Sequence, residues 1–283
     1  MPTAQELMSK FEDVKTIPPV AIRLIKLISD ENSTVQEIEK VIRMDPTMVV
    51  RLLRLVNSSF YGLRQKVDSI TTAVVFIGLK NLRNMIVVSS LKEAVKPGRQ
   101  EDTFSRADLW LHCAAVAVCG KMISERIAGQ MGEDTFLCGI LHDIGMILED
   151  QLAHDLFLQA CKAYLQGDRP LCEFEREIIG TDHCEVGYLL AQKIELADEV
   201  QETIRDHHFT GKEISPSSML GTIQIAEYFV SQLEYTDLPG MKAGISPFLK
   251  SHISQNIEEF KVLAKNLPDE MSKAEEIYKV DEG

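Results

Sequence analysis

The sequence lacks the basic surplus that marks nucleic-acid-binding proteins. Its 30 Lys and Arg residues are outnumbered by 43 Asp and Glu residues, which gives a formal net charge of −13 at pH 7. A duplex DNA or RNA partner requires a concentrated basic face, so this charge argues against nucleic acid as a partner. A small anionic ligand stays compatible with the charge, because a bound metal ion supplies local positive charge.

Disulfide and zinc-ribbon patterns are missing as well, since no two cysteines form a CxxC pair. Most of the cysteines lie in apolar helical patterns, so we expect them to be reduced and buried, as in a cytosolic protein. A role near a metal is the weaker alternative for Cys184, which directly follows His183. The six cysteines are Cys113, Cys119, Cys138, Cys161, Cys172 and Cys184.

Long apolar runs are also absent, and none is long enough to span a bilayer. The N-terminal stretch MPTAQELMSKFED has no basic segment followed by an apolar one, so we expect no signal peptide. We therefore expect a cytoplasmic protein without membrane association. The 283 residues, with a hydrophobic fraction of 45%, suffice for one large domain or two modest ones with a substantial core.

Strand-like alternation and internal repeats are not found, whereas helical periodicity runs along nearly the whole chain. We predict an all-α fold, a multi-helix bundle with an N-terminal helical subdomain. Ser33 is expected to cap one helix, Pro46 to begin the next, and Gly78 to separate two more. Further helices are predicted at about 104–129, 133–150, 152–166, 170–180, 183–194, 197–207, 216–234 and 254–266.

The best internal boundary is Pro97-Gly98 with the polar run that follows it. It divides the chain into an N-terminal helical subdomain, 1–98, and a second helical domain, 99–266. The charged tail, 267–283, is expected to be a loosely packed helix or disordered.

Imidazole and carboxylate side chains recur in the second domain at helix ends or inside apolar helical patterns. GILHDIGMILED, residues 139–150, sets His142 and Asp143 side by side in an apolar run, which is costly unless they are paired or bind a metal. Asp108 and His112 are four residues apart and share a helix face. The remaining candidates are His183 at a helix start, His207 and His208 at a helix end, and Glu227 in an apolar helix.

Imidazole nitrogen and carboxylate oxygen are ligands that suit Zn, Mn and Fe, and helical bundles build metal sites from such inward groups. A mixed set of this size holds one ion, or two ions about 4 Å apart that activate a shared water and clamp a phosphoryl group. We predict one or two divalent ions, Fe, Mn or Zn. The predicted ligands are Asp108, His112, His142, Asp143, His183, His207, His208 and Glu227.

Each candidate also has a simpler explanation. A single buried histidine is often only a satisfied core residue, and imidazolium is favoured at a helix C-terminus, where His207 and His208 lie. Asp108 would serve as a first-turn acid, and Glu227 would be half exposed. Each of these explanations is adequate for its own residue. It is much less plausible that all of them hold at the same time. His154 and His252 lie in more polar stretches and are expected at the surface.

The order of His, HD, His, HH and an acid resembles the HD superfamily of metal-dependent phosphohydrolases. Over roughly residues 10–235 the chain resembles more closely the HDOD proteins, the HD-related output domains of bacterial signalling. The first half carries this resemblance in IPPVAIRLIKLISDENSTVQEIEKVIRMDPTMVVRLLRLVNSSFYG and DSITTAVVFIGLKNLRNM, the second in FLCGILHDIGMIL, DHCEVGYLLAQKIEL and ETIRDHH. It implies an all-helical, HD-like metal-binding domain and a role in signal transduction.

The related HD-GYP phosphodiesterases, which open cyclic di-GMP, imply the same ligand positions here. Asp108 falls at a Glu position of those enzymes, and Glu227 at an Asp position. Two departures bear on catalysis: Met146 replaces the phosphate-holding lysine of HDIGK, and HHFTGKEISPSS replaces the acidic, Gly-rich GYP stretch. Lys212 is the alternative source of a cation.

Two functions therefore compete. The favoured one is a regulatory or interaction module that retains an HD-type metal site and meets signalling proteins in trans, because no receiver or cyclase pattern accompanies it. The alternative is a metal-dependent phosphohydrolase acting on a nucleotide or other phosphoester, with a small phosphorylated ligand. In that case His142 and Asp143 are the candidate catalytic residues, and Asp143 orients the nucleophile. The oligomeric state is left open.

Overall fold

The fold was analysed in a computed structural model that describes residues 3–9, 19–30, 32–57, 65–94, 103–210, 213–236 and 238–279. These residues form sixteen α-helices and no β-strand, which confirms the all-α prediction. The helices are α1 Ala4–Ser9, α2 Pro19–Ser29, α3 Val35–Ile42, α4 Pro46–Val56, α5 Ile70–Ile77, α6 Leu79–Ala94, α7 Arg106–Arg126, α8 Glu133–Leu141, α9 Ile144–Leu152, α10 His154–Gln166, α11 Leu171–Ile178, α12 His183–Lys193, α13 Asp198–Asp206, α14 Met219–Gln232, α15 Pro247–Gln255 and α16 Ile257–Lys279.

The N-terminal helices follow the sequence signals with one correction. Thr34, not Ser33, caps α3, because Thr34 and Glu37 form a reciprocal capping box in which each side chain bonds the other's backbone N–H. As expected, α4 begins at Pro46. Gly78 separates α5 from α6 with φ of 78°, a left-handed conformation that glycine adopts without strain, and the two helices meet at 102°.

The second half is built around α7, which packs against α8, α14 and α16. Its central residues, including Val116, Ala117 and Cys119, are buried. α7 is long and apolar enough to cross a membrane by composition alone, but 72% of its apolar window is buried inside the fold. This burial is typical of the core helix of a globular bundle.

The helix predicted at 133–150 is in fact two helices, α8 and α9, separated by a turn at His142 and Asp143. Two glycines explain why the chain breaks there. A Cβ on Gly139 would lie 2.5 Å from Cα of Ala117, and one on Gly145 would lie 1.9 Å from the carbonyl oxygen of His183. α8 therefore packs directly on the backbone of α7, and α9 on that of α12. The turn at His142 and Asp143 therefore lets α8 and α9 pack as two separate helices.

The C-terminal region is helical where the charged tail was expected to begin. α16 continues to Lys279 and contains Pro268, and Leu263, Leu267 and Met271 lie buried along one of its faces. This i, i+4, i+8 spacing docks the helix, which packs on α7. Residues 267–279 are thus helical, and the buried stripe extends as far as Met271. α15, which the periodicity did not predict, precedes this helix.

The two halves of the chain share one hydrophobic core. α6 packs against α8, and α1 packs against α12. Lys80 and Arg83 of α6 both pair with Asp134 of α8, across the predicted division. The boundary expected at Pro97-Gly98 lies outside the described residues.

Candidate metal centre

The structure brings seven of the eight predicted ligands together at one point of the bundle. They come from five separate segments of the second half, so the fold, and not local sequence, assembles the cluster. His112 lies in the middle of α7, His142 and Asp143 form the α8–α9 turn, His183 begins α12, His207 and His208 follow α13, and Glu227 lies in α14.

Four imidazoles are fixed in one tautomer. In each, Nδ1 lies against an oxygen that only accepts hydrogen bonds, so Nδ1 must carry the proton and donate it. The bonds run from His112 to Tyr235 O (2.9 Å), from His142 to Gly139 O (2.8 Å), from His207 to Ile204 O (2.7 Å) and from His183 to Glu175 Oε2 (2.7 Å). Each Nε2 then presents its lone pair to the cluster, which is how metal-binding histidines are oriented by their outer partners.

Asp143 joins two groups of donors. Its Oδ2 lies 2.9 Å from His142 Nε2 and 3.4 Å from His112 Nε2. Its Oδ1 lies 3.2 Å from His207 Nε2 and 3.5 Å from His183 Nε2. Ligand atoms about 2.1 Å from one ion stand roughly 3.0–3.4 Å apart, so these separations suit coordination of a divalent ion on either side of Asp143.

Glu227 closes the cluster on the side of α14. Its Oε1 lies 3.3 Å from His142 Nε2 and 3.9 Å from His207 Nε2, and its Oε2 lies 3.9 Å from His208 Nδ1. Glu227 is buried, and not half exposed as its simpler explanation required. It faces both donor groups.

Three donor atoms in the cluster are left, within the described part of the chain, without a hydrogen bond that would satisfy them. Asp143 Oδ1, His207 Nε2 and Glu227 Oε1 are buried and have no hydrogen-bond partner among the residues that the structure describes. Leaving such atoms buried and unpaired costs roughly 1–3 kcal/mol each. A divalent cation would satisfy all of them, so the donor set fits a metal.

The protonation states of Asp143 and His208 suit metal binding. Burial works to raise the pKa of Asp143, but His142, His112 and His207 oppose it and hold that pKa well below its usual range. Burial, reinforced by His207 and His183, lowers the pKa of His208 well below its usual value. Asp143 is therefore anionic and His208 neutral at neutral pH, the forms that coordinate metal. Burial works to lower the pKa of His183 and of His207, but neighbouring anionic groups raise both above the usual value, so a bound metal would displace a proton from each ring.

Two buried acids behind His183 were not predicted from the sequence. Glu175 Oε2 accepts from both His183 Nδ1 (2.7 Å) and the His183 backbone N–H (3.2 Å). Glu149 is completely buried too, and burial together with Glu175 raises its pKa well above the usual range. For Glu149 the available signal was its place in the apolar stretch GMILED, whereas α11, LCEFEREI, is half charged and gives no such signal for Glu175.

Removing the Glu175 carboxylate should weaken metal binding without removing a ligand. We expect Glu175→Ala to lower metal affinity by about 10- to 100-fold, because His183 loses the partner that orients its ring. A competitive chelator titration measures the loss. Glu173→Ala, which alters an exposed acid of the same helix, serves as the control, and equal affinities in the two variants would contradict the assigned role.

Glu149 should make the stability of the metal-free protein fall as pH rises. Its folded-state pKa is raised, so the folded state favours the protonated form, and stability present at low pH is lost as pH rises through that pKa. We expect Glu149→Gln to be more stable than wild type by an amount that grows with pH and then levels off. Urea unfolding from pH 4.5 to pH 8 measures this, with the exposed Glu125→Gln as control; a constant difference would refute it.

Asp108 is the predicted ligand that the structure leaves outside the cluster. It lies in the capped first turn of α7, where its backbone N–H bonds Ser105 Oγ, and its side chain is exposed. The i, i+4 spacing from His112 is real, but it places Asp108 one turn nearer the solvent-facing end of the helix. It acts as the first-turn acid of its simpler explanation.

The remaining histidines and the cysteines were also placed by the structure. His154 and His252 are half-buried and lie away from the cluster, and His154 pairs with Asp150. All six cysteines are buried and none of them forms a disulfide, as expected. Two of them, Cys172 and Cys184, lie close to His183.

A cavity of about 490 Å³ opens beside the cluster. His207 and His208 form part of its wall, and Arg169 and Lys242 contribute cationic groups. His208 is the donor with a partly exposed side chain (28%), whereas the other six are nearly inaccessible to solvent. Met146, at the position of the missing lysine, is fully buried, and Lys212 lies outside the described residues.

The family model for the HDOD domain matches residues 14–210, more than half of the chain. The chain belongs to the HDOD family. This assignment agrees with the all-helical fold and with the HD pair in the α8–α9 turn. The HDOD match includes every donor of the cluster except Glu227.

Solved structures share the complete fold. An HDOD domain protein of unknown function from Geobacter sulfurreducens is 22% identical, with 97% of this chain and 96% of that chain covered and a TM-score of 0.73. A protein from Shewanella amazonensis described as a candidate phosphohydrolase is 25% identical, with 96% and 97% covered and a TM-score of 0.69.

A sequence relative is an uncharacterized protein from Treponema pallidum (strain Nichols). It is 24% identical over 208 residues, which cover 72% of this chain. The same match covers 39% of the relative, so this chain spans about two-fifths of the length of the curated relative it matches.

Proposed function

We propose that this HDOD protein is a regulatory or interaction module of signal transduction that retains an HD-type metal site. The observation that carries the proposal is the closed character of the cluster: six of its seven donors are nearly inaccessible to solvent, and among the seven only His208 has a partly exposed side chain. Structural and regulatory metal sites are closed by protein ligands, whereas catalytic sites keep a position open to substrate. The buried Met146, in place of a lysine, supports the same conclusion.

The proposed metal ligands form two groups that share Asp143. His112, His142 and Asp143 would hold one ion, and Asp143, His183, His207 and His208 would hold the other, with Glu227 facing both. Nitrogen and carboxylate oxygen favour Fe, Mn or Zn. The metal would lock five segments of the bundle together, so its loss would loosen the second half of the chain.

The proposed partners are signalling proteins that bind in trans. α3, α4 and α5 pack on one another in the N-terminal half and expose apolar side chains. Val75 and Phe76 of α5 are 68% and 49% exposed, and Met44, between α3 and α4, is 65% exposed. Apolar side chains exposed on adjoining elements are typical of protein-binding surfaces.

The alternative function is hydrolysis of a phosphoester, and the cavity beside His208 is the observation that favours it. The cavity is large enough for a nucleotide-sized ligand, and Arg169 and Lys242 in its wall would attract a phosphate group. The metals would supply charge stabilisation and water activation when bound. Asp143 and Glu227, as buried carboxylates, would accept a proton from the attacking water or orient it.

A single-turnover assay separates the two functions. Protein reconstituted with Mn²⁺ or Fe²⁺ is incubated with a panel of nucleotides and other phosphoesters, beside His142→Ala as the metal-deficient control. We expect metal to bind but hydrolysis to stay at the level of His142→Ala. Hydrolysis by wild type that the His142→Ala and Lys242→Ala variants both lack would favour the phosphohydrolase.

A partner search completes the test. Affinity capture with wild type and with a Val75→Asp variant asks whether the exposed face of α5 recruits a protein. Robust hydrolysis together with no captured partner would overturn the proposed function.

A further inference from the structure

Cys172 and Cys184 lie beside His183, and neither is among the eight predicted metal ligands. The two Sγ atoms are 3.8 Å apart, and Cys172 Sγ is 3.9 Å from His183 Nε2. Together with His208, these residues offer four donor atoms that all lie within 4.8 Å of one another. Both cysteines are buried and neither forms a disulfide.

The spacing matches a tetrahedral site for a thiophilic ion. Two thiolates bound to one zinc ion at about 2.3 Å in tetrahedral geometry stand roughly 3.8 Å apart, and a thiolate and an imidazole roughly 3.6 Å apart. The observed sulfur–sulfur distance therefore needs no adjustment, and the distance from Cys172 Sγ to His183 Nε2 needs a shift of a few tenths of an ångström. The other four separations are at most 4.8 Å, so binding would draw those donors together. Two cysteines with two histidines are a common set for zinc.

We propose that Cys172, Cys184, His183 and His208 form a site for a borderline-soft divalent cation such as Zn²⁺ or Co²⁺. On binding, each thiol loses its proton to solvent and each sulfur donates an electron pair to the ion, so two protons are released per ion. The sulfur atoms are unsuited to Mn²⁺ or Mg²⁺, which prefer oxygen ligands. The inference rests on the proposed function for the metal-binding role of His183 and His208.

The site has an access route of its own. A second cavity, of about 560 Å³, is lined by Cys172, Cys184 and His208, and also by Arg176 and Arg205. An ion can therefore reach the sulfur atoms without passing through the buried cluster at Asp143. His183 and His208 are shared by the two sites, so an ion on the cysteines excludes one that binds Asp143 through these same histidines. Metal identity would then select the position: Mn²⁺ or Fe²⁺ at the imidazole and carboxylate donors around Asp143, and thiophilic ions at the cysteines.

Cobalt substitution tests the proposal directly. Reduced, metal-stripped protein is titrated with Co²⁺ under inert gas, and its near-ultraviolet absorption is recorded, where thiolate-to-cobalt charge transfer appears. We expect the band in wild type, in His142→Ala and in Cys161→Ala, which removes a buried cysteine elsewhere. Cys172→Ala and Cys184→Ala should each lose it, with circular dichroism checking that the helices are retained.

A second measurement needs no variant. Zn²⁺ added to wild type should slow alkylation of Cys172 and Cys184 relative to the other four cysteines, as located by peptide mapping. Co²⁺ that binds without a charge-transfer band and without this protection would overturn the thiolate site and leave the proposed function standing. No Co²⁺ binding at all would overturn both.

Discussion

Asp143→Ala is expected to remove metal from both donor groups of the cluster. Each carboxylate oxygen of Asp143 faces a different pair of histidines, so this one substitution takes a ligand from each group. We expect the loss of Mn²⁺ affinity to exceed the roughly 10- to 100-fold effect of outer-shell substitutions. Mn²⁺ is the appropriate probe because it does not favour the cysteine sulfurs.

Asp108→Ala is the matched control, since Asp108 is an acid of the same type that lies exposed on α7. It should leave Mn²⁺ affinity within twofold of wild type. Isothermal titration on metal-stripped protein measures both variants. Equal affinities for Asp143→Ala and wild type would mean that Asp143 does not join the two donor groups.

Gly145→Ala is expected to be the most damaging glycine-to-alanine substitution among the glycines that the structure describes. An added Cβ would lie 1.9 Å from the carbonyl oxygen of His183, and backbone must move to accept it. Overpacking of this kind costs about 1–3 kcal/mol, and more where backbone is the obstacle. The displaced segment carries His183, so metal affinity should fall together with stability.

Gly244→Ala provides the comparison, because nothing lies within 4 Å of the Cβ that it would add. We expect it to match wild type in urea unfolding and in metal binding. A Gly145→Ala protein with wild-type stability would show that α9 and α12 do not depend on their close backbone contact.

The fold class and most of the cluster could be predicted from the sequence because their signals are local. Helical periodicity marks the buried faces of α3 and α4, and Pro46 marks where α4 begins. The ligand types follow from histidines and acids placed in apolar stretches, where burial requires a partner. Seven of the eight residues chosen on this basis meet in the structure.

The errors arise where tertiary packing decides the outcome. The apolar run at 133–150 has continuous periodicity, and only the contacts of Gly139 and Gly145 with neighbouring backbones explain the break at His142 and Asp143. Asp108 and His112 have the four-residue spacing that places two side chains on one helix face. That spacing does not say how much of the face is buried by neighbouring helices. The role of Glu175 can be predicted only from the position of His183 Nδ1, which no sequence pattern within α11 reveals.

The C-terminal region shows the same limit. Charge suggested a loosely packed or disordered tail from Leu267, yet Leu263, Leu267 and Met271 continue one apolar stripe that docks α16 on α7. A proline inside a helix is costly in isolation. Burial of the apolar stripe stabilises the fold by about 25 cal/mol per Å² of apolar surface, which offsets the cost of the proline. This burial is evident only in the packed structure.

Metal content per chain tests the central claim most directly. The protein is purified without a His-tag or chelator and analysed by elemental mass spectrometry beside His142→Ala. The account predicts one or two divalent ions in wild type and at least one fewer in His142→Ala, because His142 Nε2 lies 2.9 Å from Asp143 and 3.3 Å from Glu227 at the middle of the cluster. A wild-type chain without metal, or equal metal contents in the two proteins, would contradict it.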